Sequence, residues 1–347
     1  MIALDANGAD QGPAVVADGA RRAGVPVLLF GPAAALGTPT GSVAETAAAD
    51  SVAGRGDLLQ IVNAPEAIGA GAEPVRAVRA HPDASIVQAA DAVAADRADA
   101  LVSAGSTGPT LAAATLRIKR QRGVYRPALA VVLPVPAGPV LLLDCGANVE
   151  VRPEQLEQFA YMGACFMEAV YGLERPRVGL LSVGEEQGKG TPEVQAAHER
   201  LEGGTLNFVG NVEGFDLPRA GADVIVADGF TGNVALKVME GTSKAVTGAI
   251  REAIRSGPVS TLGGLLVRGR LGRLRAQLDP EAVGGAILLG LRKPVVVAHG
   301  SFGPEGIASA VRLARRAVDE DMVGRTAAAL AAAGALRSAA TGSVAAP

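Results

Sequence analysis

The sequence predicts an α/β protein built around a largely parallel sheet. Short, mostly uncharged aliphatic runs alternate with amphipathic or Ala-rich stretches nearly to the end, which is the rhythm of repeated βα units. Polar, glycine-rich loops follow seven of those runs, and in parallel α/β proteins such loops carry a strand end into a helix N-terminus. Pro153 and Pro192 stand where a first helical turn has no N–H to leave unpaired. Of 347 residues, 49% are hydrophobic and 19% charged; with seven Phe, three Tyr and no Trp, the core must be aliphatic. The length allows one large domain or two intimate ones.

In chain order, strands are expected at residues 2–4, 25–30, 58–62, 100–103, 129–133, 140–143, 177–181, 207–209, 224–226 and 295–298. Their low charge suits strands covered on both faces. Helices are expected at 14–23, 75–80, 110–120, 153–170, 192–201, 233–254 and 306–319. Three stretches break the rhythm. Residues 31–57 are small and polar, which predicts a mobile surface excursion. Residues 251–278 are basic and Leu-rich. From about Ala327 the chain turns Ala-rich and ends TGSVAAP, predicting a weakly docked helix and a flexible tail over 331–347, after one α/β domain spanning 1–330.

Lys plus Arg number 32 against 35 Asp plus Glu, a formal net charge of −3, which argues against global attraction to nucleic acid. Cys145 and Cys165 cannot form a disulfide framework; they read as small core hydrophobes, with a cytoplasmic default. The opening MIALDANGAD places Asp5 where a signal peptide would stay apolar, so no export signal is expected. No stretch reaches the ~20 apolar residues that span a bilayer. No His/Cys cluster has zinc-ligand spacing and no G-x-G-x-x-G follows the first strand, so neither a metal nor a dinucleotide cofactor is expected.

The chemistry must lie in the loops LDANGADQGP, SAGSTGPT, DCGANVE, SVGEEQGKGT, NVEG, ADGFTGNVALK and AHGSFGPEG, whose number suggests one shared cleft. In SVGEEQGKGT, Gly184, Gly188 and Gly190 surround Lys189: small residues let N–H groups converge on an anion while the ammonium adds a point charge. It is not a Walker A loop, because only Glu185, Glu186 and Gln187 separate Gly184 from Gly188 and a glycine follows the lysine. The alternative is a charged surface turn. In ADGFTGNVALK, Asp228 closes a strand, Thr231 or Asn233 can cap the next helix, and Lys237 shares a helical face with Asn233. That helix start suits a phosphate between Gly229 and Gly232. Asp228 either orients a donor and accepts a proton or simply caps the helix; Lys237 either faces the ligand or is a solvated lysine.

Three histidines limit acid–base chemistry near neutrality. His81 and His198 read as structural or exposed, whereas His299 follows the run Val295-Val296-Val297-Ala298 and should sit at a strand's carboxyl end. Ala104 to Gly108, AGSTG, resembles a nucleophile elbow, and the order Ser106, Asp228, His299 permits a serine-hydrolase reading. Ser106 and Thr107 at a helix start equally suit anion binding or capping. Asp5, Asn7, Asp144 and Asn148 can line a cleft, or hold turns through Asx hydrogen bonds.

The succession LDANGAD, VSAGSTG, LDCGANV, GEEQGKG, NFVGNVEG, DVIVADGFTGNVALK, VGGAILLG and VVVAHGS closely resembles the bacterial PlsX family of phosphate acyltransferases, over roughly residues 1–320. Asn7 and Ala9 depart from the family's first loop, Ser106 stands where it usually has Asn, and Val183 and Thr191 replace its flanking asparagines. The resemblance implies a three-layer αβα sandwich like the isocitrate/isopropylmalate dehydrogenases and phosphotransacetylases, with a projecting helical tip. It implies transfer of a long-chain fatty acyl group from acyl carrier protein to inorganic phosphate, making acyl phosphate for phospholipid synthesis. A homodimer attached to the inner face of the cell membrane, beside the downstream glycerol-3-phosphate acyltransferase, is implied too. A phosphotransacetylase-like acyl-CoA donor and a non-enzymatic scaffold are the other readings.

On this reading, Lys189, Asp228 and His299 are the candidate catalytic residues. The candidate substrate-binding set is Asp5, Ser106, Thr107, Asn148, Gly188, Asn211, Gly229, Thr231, Gly232, Asn233 and Lys237. Residues 251–278 carry six arginines against one glutamate, a local charge of +5. There, Leu262, Leu265, Leu266, Leu271 and Leu274 with Arg268, Arg270 and Arg273 can meet an anionic membrane, on short elements broken by glycines. A dimer contact or carrier docking are the alternatives for the same surface.

Overall fold

Ile2 and Leu4 pack into one apolar cluster and Ala3 into another, all three fully buried, so the first strand is already covered on both faces. The computed structural model describes residues 1–36, 58–69 and 71–337. Its strands are β1 (Ile2–Asp5), β2 (Val27–Gly31), β3 (Leu59–Asn63), β4 (Ala100–Ser103), β5 (Ala128–Val135), β6 (Gly138–Leu143), β7 (Arg177–Leu181), β8 (Asn207–Val212), β9 (Val224–Val226), β10 (Ala286–Leu289) and β11 (Val295–Val297). They form one sheet in the order β3-β2-β1-β4-β11-β10-β5-β6-β9-β7-β8.

The helices are α1 (Pro13–Arg22), α2 (Ala33–Leu36), α3 (Pro74–Ala80), α4 (Ser85–Ala94), α5 (Thr107–Ala113), α6 (Pro153–Tyr171), α7 (Pro192–Glu202), α8 (Gly229–Arg255), α9 (Pro258–Gln277), α10 (Pro280–Val283), α11 (Pro304–Asp319) and α12 (Met322–Ala332). Apolar residues of α1, α6, α7, α11 and α12 fill one face of the sheet; those of α3, α4, α5 and the first turns of α8 fill the other. The result is the expected three-layer α/β sandwich.

Strand direction sets the position of every loop. β1 to β4 and β11 are mutually parallel, but β10 and β6 reverse direction, and β9, β7 and β8 follow β6. The carboxyl ends of β1, β4 and β11 therefore lie at one sheet edge, and those of β6, β7, β8 and β9 at the opposite edge. The single cleft expected for all seven loops is thus corrected to two loop clusters. The net reversal arises at the antiparallel hairpin of β5 and β6, because β10 runs against both β11 and β5 and leaves those two pointing the same way; a reading of the sheet as largely parallel misses it.

Other boundaries shift for local reasons. α8 begins at Gly229 because the Asp228 side chain caps it, four residues before the expected start. The glycines of 258–277 do not break the chain into short pieces: α9 is one continuous helix. Gly264 instead faces Ile254 of α8, where a Cβ would run into that side chain. α4, absent from the expectation, is an Ala-rich helix buried along most of one side. The excursion expected over 31–57 lies outside the described residues from 37 onward, as does the tail from 338.

Candidate functional site

At the edge formed by β6, β7, β8 and β9, a buried carboxylate builds the first loop. Asp144 is fully buried and accepts from the backbone N–H groups of Leu129 (2.9 Å), Ala147 (3.0 Å) and Asn148 (2.7 Å), and from Asn148 Nδ2 (2.8 Å). Burial outweighs these bonds and holds its pKa above the ordinary carboxylate value. The loop then receives α8: Gly229 N–H donates to the Asn148 carbonyl at 2.7 Å, and Asn233 Nδ2 to the Cys145 carbonyl at 3.0 Å. A Cβ at Gly229 would lie 2.6 Å from that Asn148 oxygen, so only glycine admits the contact.

These bonds redefine several candidates. Asp228 accepts at Oδ1 from Thr231 N–H (2.8 Å) and at Oδ2 from Thr231 Oγ1 (2.7 Å), the capping alternative foreseen for it. The N–H groups of Gly229 and Gly232 donate to Asn148 and Asp228 carbonyls, and so are not open to a phosphate between those glycines. Asn148 spends its amide N–H on Asp144 and on the Pro127 carbonyl. Lys237 pairs with Glu240 at 2.9 Å on the exposed side of α8. Thr231, Asn233 and Asn148 thus form a braced helix start rather than an open anion cradle.

The loop after β7 is different. Lys189 is exposed and has no acidic partner within ion-pair distance among the described residues, although Glu185 and Glu186 lie four and three positions before it. Its stem packs over Gly184, where a Cβ would meet Lys189 Cγ at 3.1 Å. Lys189 N–H closes a turn onto the Glu186 carbonyl at 3.0 Å, while the N–H groups of Gly188 and Gly190 meet no protein acceptor among the described residues. Gly190 adopts φ +97°, a left-handed backbone that favours glycine, and Gln195 Nε2 pins its carbonyl at 3.0 Å. Asn211, buried at the end of β8, donates Nδ2 to the Glu186 carbonyl at 2.9 Å, so it holds the loop from inside. An ammonium beside open backbone donors is chemistry for an anion.

At the other edge, Asp5 is buried and accepts from Ser85 Oγ (2.6 Å), Ser103 Oγ (2.9 Å) and Asn7 N–H (3.2 Å). Burial pushes its pKa up to about 6 against those lowering hydrogen bonds. His299 is exposed, and its Nδ1 faces Ser301 N–H (3.2 Å) and Ser301 Oγ (2.8 Å); Nδ1 accepts the backbone bond, leaving Nε2 as the donor of the neutral ring. Ser106 precedes α5 without a side-chain cap bond, and Thr107 beside it is exposed.

Five strand positions separate β4 from β9, about 24 Å at the usual strand spacing. Ser106 and His299 therefore cannot form a triad with Asp228, and the serine-hydrolase alternative is corrected. The same five positions lie between β11 and β7, so His299 and Lys189 do not converge within one chain. Two residues that sequence reading undervalued organise the Lys189 edge: Asp144, left between turn and ligand, and His198, set aside as structural. Asp144 stands in the DCGANVE loop and His198 in no motif, but for both only the fold shows what each touches.

α9 packs back against α8, with Gly264 facing Ile254. Leu262, Leu265, Leu266, Arg268, Arg270 and Arg273 are exposed and Leu271 is half-buried; the Leu274 side chain lies outside the described residues.

The sandwich places the chain in a class of folds that includes phosphotransacetylases. EutD phosphotransacetylase from Staphylococcus aureus is 19% identical with a TM-score of 0.56, and a phosphotransacetylase from Streptococcus pyogenes is 18% identical with a TM-score of 0.57. Each comparison covers 92% of this chain and 94% of that one. The family model described as "Fatty acid synthesis protein" matches residues 1–325. The phosphate acyltransferase of Elusimicrobium minutum (strain Pei191) is 42% identical over 328 residues, covering 93% of each chain. That of Thermobifida fusca (strain YX) is 43% identical over 322 residues, covering 92% of this chain and 88% of the other. The chain belongs to this fatty acid synthesis protein family, the PlsX family, and is an acyltransferase.

Proposed function

We propose that this acyltransferase moves a long-chain fatty acyl group from acyl carrier protein to inorganic phosphate. A phosphate oxygen attacks the thioester carbonyl; the C–O bond forms, the C–S bond breaks, and the carrier leaves as a thiolate that takes up a proton. The product is acyl phosphate for phospholipid synthesis. Phosphate is itself the nucleophile, so the reaction needs no acyl-enzyme. The observation that carries the reading is the exposed Lys189, without an ion pair among the described residues, beside the Gly188 and Gly190 N–H groups that meet no acceptor among them. Donors fixed before the reaction stabilise phosphate and the developing oxyanion without reorganising. Asp228, Asn211 and Asn233 support this edge through the bonds described above, and His299 belongs to the other edge.

The test is product analysis after mixing the purified protein with long-chain acyl carrier protein and phosphate. Acyl phosphate is expected. Its formation from long-chain acyl-CoA but not from the carrier would overturn the donor, and a stoichiometric acyl-enzyme at Ser106 would overturn direct transfer.

The proposal extends to a homodimer attached peripherally to an anionic membrane beside the downstream glycerol-3-phosphate acyltransferase. Leu262, Leu265 and Leu266, exposed to 62%, 59% and 82%, support attachment through α9, with Arg268, Arg270 and Arg273 on the same helix. No described helix is long and apolar enough to cross a membrane.

A further inference from the structure

Histidine 198 lies on α7 with 7% of its surface exposed, and its ring meets Phe208 edge-on at a centroid distance of 5.0 Å. Its Nδ1 is 3.0 Å from Asn211 Oδ1. The direction of this bond follows from its neighbour. The Glu186 carbonyl can only accept, so the Asn211 group facing it at 2.9 Å must be the amide NH2. The Asn211 oxygen then faces His198, and His198 Nδ1 must carry the proton. The Glu186 carbonyl also accepts from Lys189 N–H at 3.0 Å. A continuous path thus runs from the His198 ring through the Asn211 amide to the oxygen that closes the Lys189 turn.

We propose that His198 is a positioning residue: by holding Asn211 in one amide orientation it fixes the turn that presents Lys189 and the open Gly188 and Gly190 N–H groups. This rests on the reading of that loop as the phosphate site. Without the Nδ1–H donor, Asn211 can rotate or flip, the Glu186 carbonyl loses one of its two donors, and the turn that carries Gly188, Lys189 and Gly190 loosens. His198 makes no contact with phosphate in this scheme.

Two substitutions separate packing from donation. His198→Phe keeps a ring against Phe208 and removes the donor; His198→Asn places an amide N–H near the Nδ1 position and removes the ring. The expected result for His198→Phe is a phosphate KM raised about tenfold, with the KM for the acyl donor within about twofold of wild type. His198→Asn should recover most of the phosphate KM despite its poorer packing, and amide hydrogen exchange across 184–190 should quicken in the Phe variant and not in the Asn variant. A merely structural histidine predicts the reverse order, with Phe the milder change. Should His198→Phe fail to fold, Asn211→Asp carries the same test, because it replaces the donor to Glu186 by an acceptor; unchanged exchange at 184–190 in that variant overturns the network. Lys189→Met distinguishes the two levels. If it leaves phosphate kinetics unchanged while exchange at 184–190 still depends on His198, the phosphate reading fails and the positioning network stands. If Lys189→Met is impaired but His198→Phe alters neither KM nor exchange, the network fails and the phosphate reading stands.

Discussion

Lysine 189 differs from Lys237 in its partners: Lys237 is spent on Glu240, whereas Lys189 makes no ion pair among the described residues, although its stem and the Glu186 carboxylate share the space over Gly184. Lys189→Met should therefore lower kcat/KM for phosphate by roughly two orders of magnitude, while Lys237→Met changes it little; steady-state kinetics at varied phosphate checks both. Asp5 makes a prediction in pH rather than in rate. Its folded pKa of about 6 stands above the ordinary 3.8, so between those values the native state holds a proton that the unfolded chain has released. Stability from this group is fully present below pH 3.8 and is lost as pH rises through about 6, a change of ~3 kcal/mol. Denaturant unfolding of wild type and Asp5→Asn from pH 4 to 7 should show that slope in the wild type only; parallel curves would remove Asp5 as its source.

At the scale of elements, the start of α8 is set by two close backbone approaches. Gly229 and Gly232 lie against the Asn148 and Asp144 carbonyls, with no room for a side chain at either position. Gly229→Ala should cost about 2–3 kcal/mol in unfolding free energy, because the helix must lift off the 144–148 loop to admit a methyl group. The hairpin of α8 and α9 should behave oppositely. Beyond its first turns α8 is mostly exposed, as is α9, so Leu262→Glu with Leu266→Glu should leave the melting temperature unchanged while abolishing co-sedimentation with anionic liposomes. Intact co-sedimentation by the folded variant at low salt would sink attachment through α9.

For the whole molecule, the reversal of strand direction across β10, β5 and β6 matters most, because it sends the loops to two edges about five strands apart. Ligand binding at one edge should then be visible as local protection. Phosphate should slow hydrogen exchange at 184–191 and leave 105–108 and 299–303 unchanged; protection at 299–303 alone would move the phosphate site to the His299 edge. Both edges nevertheless share their packing. One apolar cluster runs from Ile2 in β1 through Phe159 in α6 to Leu330 in α12, which predicts a single cooperative thermal transition rather than two.

The sequence by itself determined the layered α/β class, most strand positions and the clustering of glycines around Lys189, because these depend on local patterns: aliphatic runs of strand length, proline at helix starts, small residues beside an ammonium. Tertiary structure decided which loops meet. Asp228 and His299 look alike in sequence, each at the end of an aliphatic run, yet opposite strand directions place them at different edges. It also decided which polar groups remain open: Asp228, Asn211 and Asn233 have partners as far as 88 positions away in the chain, while the N–H groups of Gly188 and Gly190 meet none among the described residues. His198 shows the same limit most plainly, since its single informative bond is to Asn211 on another element. Hydrogen-bond satisfaction is a property of the packed chain, and no residue's spacing within its own segment reveals it.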